Sequence, residues 1–190
     1  MNSRLPMEMV GCYCKKEGYA FKVDDRYPLK EDVNMFTNEI PGFGAVRLEY
    51  LVSDFTGTLS VDGKLLPGVK ERLNRIAELL DIHILTADTF GKARAALRGV
   101  KCEIHILEGK RHDIQKKGYV GMLGAEKVIA LGNGKNDRSM LKAARIGVAV
   151  CLREGCATEA ITSADILVTS PVDALDLLLR PKRCKATLRF

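Results

Sequence analysis

The chain has 190 residues, 46% of them hydrophobic and 28% charged, with a formal net charge of +6. That length suits one domain with a sizeable core, and the composition is that of an ordinary globular protein rather than a disordered or fibrous one. No apolar run approaches the roughly 20 residues needed to cross a bilayer, no signal-peptide core opens the chain, and no basic stripe is interleaved with base-stacking aromatics. Membrane and nucleic-acid partners are therefore not expected, and a cytoplasmic location follows by default.

Residues 1–34 carry no sustained periodicity and read as an N-terminal extension to a domain spanning 35–190. Phe36–Ile40, the turn Pro41-Gly42-Phe43-Gly44 and the run Ala45–Ser53 predict a hairpin feeding a central strand. After a turn, Val69, Leu73, Ile76 and Leu80 recur at helical spacing behind Pro67-Gly68. A short strand Ile82–Leu85 follows, then a helix from an N-cap at Thr89 to Arg98, and a strand Cys102–Leu107 in which Glu103 and His105 alternate. A helix over 112–123 precedes the strand Lys127–Leu131. Beyond it come a helix 136–144, a strand 146–150, a helical segment 158–164, a strand 166–168 and a helix opened by Ser170-Pro171. Strand and helix alternate throughout, which predicts a mainly parallel sheet covered on both faces. The basic cluster of Arg180, Lys182, Arg183, Lys185 and Arg189 reads as a solvated tail or an edge strand. Six cysteines (Cys12, Cys14, Cys102, Cys151, Cys156 and Cys184) lack C-x-x-C spacing and read as reduced thiols.

Three of these strands end in polar loops. Asp54 follows the run Leu48–Ser53 and is followed at once by Phe55-Thr56-Gly57-Thr58, so a carboxylate stands where open α/β sheets bind ligands. It is a candidate phosphate-accepting nucleophile, or else an Asp that caps the turn. The amides of Phe55 to Gly57 can face an anion, and Gly57 allows close approach. Thr86-Ala87-Asp88-Thr89 ends the second strand, with Thr86 and Asp88 open to a phosphate-site or a capping role. Gly132-Asn133-Gly134-Lys135-Asn136-Asp137 ends the third, where Asp137 reads either as a cation ligand or as the N-cap of the next helix.

In this order, D-F-T-G-T-L, L-T-A-D-T and G-N-G-K-N-D-R-S-M-L resemble the haloacid dehalogenase (HAD) superfamily. The likeness is nearest to the phosphorylation domain of P-type ATPases and to soluble P-type-ATPase-like proteins. The resemblance covers about residues 35–190 and implies a Rossmannoid three-layer α/β sandwich. The intervals after Asp54 and Thr86 are too short for a nucleotide-binding domain or a large cap, so the core is expected to be essentially capless.

By that resemblance Asp54 attacks phosphorus to form an aspartyl-phosphate, with Phe55, Gly57 and Ala87 lining the phosphate and Thr86 donating its hydroxyl to it. The superfamily's phosphate-pairing lysine falls to Lys116 or Lys117; Lys116 is favoured because it shares a helix face with Val120 and Leu123, and Lys110 is a poorer candidate. Mg²⁺ is the expected cation, held by Asp54, Asp137 and the Thr56 carbonyl, with Asn133 contributing its amide oxygen. Two positions depart from the family pattern. Asn133 replaces a carboxylate, which weakens cation affinity. Thr56 stands where most HAD phosphatases carry the general acid/base, so hydrolysis is expected to be slow. The expected function is an Mg²⁺-dependent phosphohydrolase, phosphatase or ATPase-like, acting on a phosphorylated small molecule or nucleotide. Without a cap, enclosure would come from a second copy in a homo-oligomer or from another subunit. The alternative is a phosphate-responsive regulatory subunit without turnover.

Overall fold

Tyr50–Ser53 is a strand apolar on both faces, and such a strand needs partners on both edges and helices above and below. In the computed structural model, which describes residues 35–190, it has all of them. The strands are β1 (Phe36–Ile40), β2 (Gly44–Leu48), β3 (Tyr50–Ser53), β4 (Ser60–Val61), β5 (Lys64–Leu65), β6 (Asp81–Thr86), β7 (Glu103–Ile106), β8 (Val128–Gly132), β9 (Ile146–Val150) and β10 (Ile166–Val168). Six of them form one parallel sheet in the order β10-β9-β8-β3-β6-β7. Ser53 is in register with Ile84 of β6 and with Leu131 of β8, so the loops that follow these strands open on one edge.

Alternation along the strands builds two apolar layers. Leu51, Ile82, Ile84, Ile129, Leu131 and Val148 join the first, whose helices are α1 (Val69–Ile76), α2 (Ala93–Ala96), α6 (Pro171–Leu179) and α7 (Pro181–Leu188). Val52, Leu85, Val128 and Ala130 join the second, under α3 (His112–Leu123), α4 (Arg138–Ala143) and α5 (Thr158–Ile161). The result is the three-layer α/β sandwich expected from the alternating pattern. No helix among the described residues is long and apolar enough to cross a membrane. The extension read over residues 1–34 lies outside the described residues.

Several elements differ from the sequence reading. The run Ala45–Ser53 is not one strand: β2 pairs only with β1 in a separate two-stranded sheet, while both edges of β3 are taken by β6 and β8. The interval after Asp54 holds a small hairpin, β4–β5, as well as α1. Its turn is Asp62-Gly63, both at positive φ (51° and 71°), the dipeptide that favours a tight hairpin turn. Thr89 is not a helix cap. The Asp88 carboxylate accepts the amides of Lys92 (2.9 Å) and Ala93 (3.0 Å), which shortens the helix to Ala93–Ala96. The basic C-terminal cluster is neither a tail nor an edge strand; it lies on and around α7, started by Pro181 and anchored by buried Cys184. Among the described residues no cap domain stands over the carboxyl edge.

Candidate active site

The chain runs from β3 outward to β6 and β7, then returns to the other side of β3 for β8, β9 and β10. Strand order therefore reverses between β3 and β8. An open parallel sheet forms its crevice at such a reversal, at the carboxyl ends of the strands. Asp54 sits there, its amide bonded to the Leu131 carbonyl at 2.9 Å.

Lys116 reaches this point from the second layer. Its Nζ donates to Asp54 Oδ1 at 2.7 Å and to Asp137 Oδ1 at 2.6 Å, with the lysine side chain 0% exposed. A buried ammonium is tolerated only when paired, and here two carboxylates pair it. Lys117 and Lys110 are exposed. Asp137 is equally buried, and its Oδ2 accepts the amides of Asn133 (3.0 Å) and Gly134 (2.8 Å). It does not cap α4. Gly132 permits this arrangement, since a Cβ there would fall 2.6 Å from that of Asp137.

Asn133 faces the loop that follows Asp54. Its Oδ1 accepts the Thr58 hydroxyl at 3.1 Å, and the same hydroxyl lies 3.4 Å from Asp54 Oδ2. Its Nδ2 donates to the Gly155 carbonyl at 3.1 Å. Thr58 was not singled out from sequence; its position four residues after Asp54 in the T-G-T turn was the available signal. Gly57 contributes through its missing side chain, because a Cβ at its φ of +74° would meet Asn133 Nδ2 at 2.4 Å. Its amide, expected to face an anion, donates here to the Ser60 carbonyl at 2.9 Å. The Phe55 amide bonds the Asp54 carboxylate, and the Phe55 ring is buried in the first layer.

The hydroxyl of Thr56 is buried with no hydrogen-bond partner among the described residues. Thr86 is buried too; its hydroxyl accepts the Asp88 amide at 2.9 Å, which leaves the hydroxyl proton to donate. Ala87 is exposed beside it.

The charges are strongly coupled. Burial raises the Asp54 carboxyl from 3.8 to about 6, against the pull of Lys116 and with a further push from Asp137. Burial would lower the Lys116 ammonium, but Asp137 and Asp54 outweigh it and hold the pKa above that of an ordinary lysine. Both charges are kept at neutral pH. Lys116→Met should accordingly cost about 3–5 kcal/mol, the usual penalty for stripping one partner from a buried pair. Urea unfolding at pH 7 measures it, and the double variant with Asp54→Asn should recover part of the loss.

Residues 110–170 match the family model of the haloacid dehalogenase-like hydrolases. An uncharacterized protein of Methanocaldococcus jannaschii is 50% identical over 64 residues, which are 34% of this chain and 69% of that protein. The 3-deoxy-D-manno-octulosonate 8-phosphate phosphatase of Moraxella catarrhalis, solved with magnesium, phosphate and KDO, superposes with a TM-score of 0.57 at 17% identity, over 75% of this chain and 94% of its own. A zinc-transporting PIB-type ATPase superposes with a TM-score of 0.50 at 25% identity, over 65% of this chain and 20% of that one. By the family-model match, residues 110–170 belong to the haloacid dehalogenase-like hydrolases.

Proposed function

We propose that the chain is a divalent-cation-dependent phosphohydrolase working through Asp54. The observation that carries this reading is the fully buried Lys116 ammonium, held 2.7 Å from Asp54 and 2.6 Å from Asp137 at the carboxyl end of the central strand. It keeps the Asp54 carboxylate ionised as a nucleophile and sets a fixed positive charge where phosphoryl oxygens arrive. Attack by Asp54 on phosphorus forms the acyl phosphate as the ester bond to the leaving group breaks. Water then cleaves the acyl phosphate, releasing phosphate and the carboxylate. The Thr86 proton and the partnerless Thr56 hydroxyl supply donors to the phosphoryl group.

The donor set suits a hard cation. Asp54 Oδ2 and Asn133 Oδ1 both lie against the Thr58 hydroxyl, which marks the point where oxygen donors converge. We assign Mg²⁺ there to Asp54, Asn133 and the Thr56 carbonyl. Asp137, with one oxygen on Lys116 and the other on two amides, is given a positioning role instead of the ligand role read from sequence. The cation, when bound, neutralises charge on the phosphoryl oxygens. That the Moraxella catarrhalis phosphatase was solved with magnesium and phosphate is in keeping with this. Because no cap covers the crevice among the described residues, substrates with an exposed phosphate on a bulky body fit it as well as small ones.

Hydrolysis of an aryl phosphate with and without Mg²⁺ is the test, and full activity in excess chelator would remove the cation from the reading. Asn133→Asp should lower the Mg²⁺ concentration needed for half-maximal activity, since it restores a carboxylate. An unchanged or raised requirement would take Asn133 out of the ligand set.

A further inference from the structure

A second set of donor atoms meets on the α3 side of the sheet, at its β7 edge. Glu103 Oε2 lies 3.6 Å from His83 Nδ1 and 3.4 Å from His105 Nε2. One ligand atom from each of these three residues lies within 4.8 Å of the other two. The Tyr119 hydroxyl bonds the same two imidazole nitrogens, at 3.0 Å and 2.7 Å. None of these side chains has a part in the chemistry at Asp54.

A hydroxyl bridging two imidazoles accounts for the Tyr119 contacts alone. The carboxylate oxygen of Glu103 stands at 3.4 and 3.6 Å from those nitrogens, within ion-pair reach and beyond the usual N–H···O range of about 2.7–3.2 Å. These two separations are close to the spacing of ligand atoms around one ion, since bonds of about 2.0–2.1 Å at tetrahedral angles put ligand atoms about 3.4 Å apart. The exposure is graded as an ion site needs. His83 is the floor, 2% exposed, and Glu103 and His105, at 49% and 37%, leave the ion a way in.

We propose that His83, Glu103 and His105 form a second cation site, with the Tyr119 hydroxyl or a water in the fourth position. Two imidazoles and one carboxylate select a borderline transition ion such as Zn²⁺ or Co²⁺ over Mg²⁺, so the two sites take different metals. An ion there ties α3 to β6 and β7, three residues along the helix from Lys116.

The test uses the full chain, stripped with chelator, returned to excess Mg²⁺ and titrated with Co²⁺. The expected result is one tight equivalent with the visible ligand-field bands of a low-coordinate nitrogen and oxygen site. His105→Ala and Glu103→Gln, both at partly exposed positions, should each weaken it by more than about tenfold, the loss expected from disturbing even an outer partner of a metal ligand. Asp137→Asn should leave it in place. The proposal is overturned if no Co²⁺ is retained against Mg²⁺, if both variants bind as the wild type does, or if the spectrum shows thiolate charge transfer and places the ion on cysteine.

Discussion

Asp54→Asn should abolish phosphate release from an aryl phosphate while leaving a protein that unfolds no more readily than the wild type at neutral pH. The amide keeps the shape of the side chain and an oxygen for the Lys116 ammonium, now 2.7 Å away, but it cannot attack phosphorus. Its effect on stability follows from burial. The folded-state pKa of Asp54 is raised from 3.8 to about 6, chiefly by desolvation, so folding favours the protonated acid. Stability from that preference is complete below the unfolded value of 3.8 and is lost as pH rises through about 6. In chelator, the thermal midpoint of the Asn variant should therefore gain on that of the wild type between about pH 4 and 6, then hold a constant lead. Phosphate release from a folded Asn variant would end the aspartyl-phosphate reading.

The parts of this site that were legible in the sequence are those set by strand endings. Asp54, Thr86 and Gly132-Asn133 each follow an apolar run, and parallel register alone brings such endings to one level. The resemblance called for a lysine, and helix periodicity, which puts Lys116 on the face of Val120, favoured this one; both are buried. What escaped were contacts made by loops folding back. That Asp137 would turn to Lys116 and to the amides of Asn133 and Gly134, leaving Asn133 beside Thr58, depends on the path of the loop between β8 and α4, and no periodicity reports it. The β4–β5 hairpin escaped for a different reason. Two-residue strands have no alternation to read, although Asp62-Gly63 was a usable turn signal. The pairing of His83 with His105 and Glu103 needed the order of β6 and β7 in the sheet, of which the alternation of Glu103 and His105 showed only one side.

Thr56→Asp should speed turnover by up to the roughly 10²- to 10⁴-fold that general acid–base catalysis supplies, and should lower the steady-state level of the phosphoenzyme. Thr56 stands two residues from Asp54 with its hydroxyl buried and partnerless among the described residues. A threonine neither protonates a leaving oxygen nor draws a proton from water near pH 7. In the wild type, breakdown of the acyl phosphate should therefore be the slow step, and acid quenching during turnover should trap a hydroxylamine-sensitive phosphoprotein that the Asp54→Asn variant does not form. The buried setting that raises Asp54 should act on a new carboxyl beside it, lifting its pKa toward the working pH, where an acid that must also serve as a base is most effective. Rapid wild-type turnover with no phosphoprotein in the quench would show that Thr56 limits nothing, and the account of slow hydrolysis would fall with it.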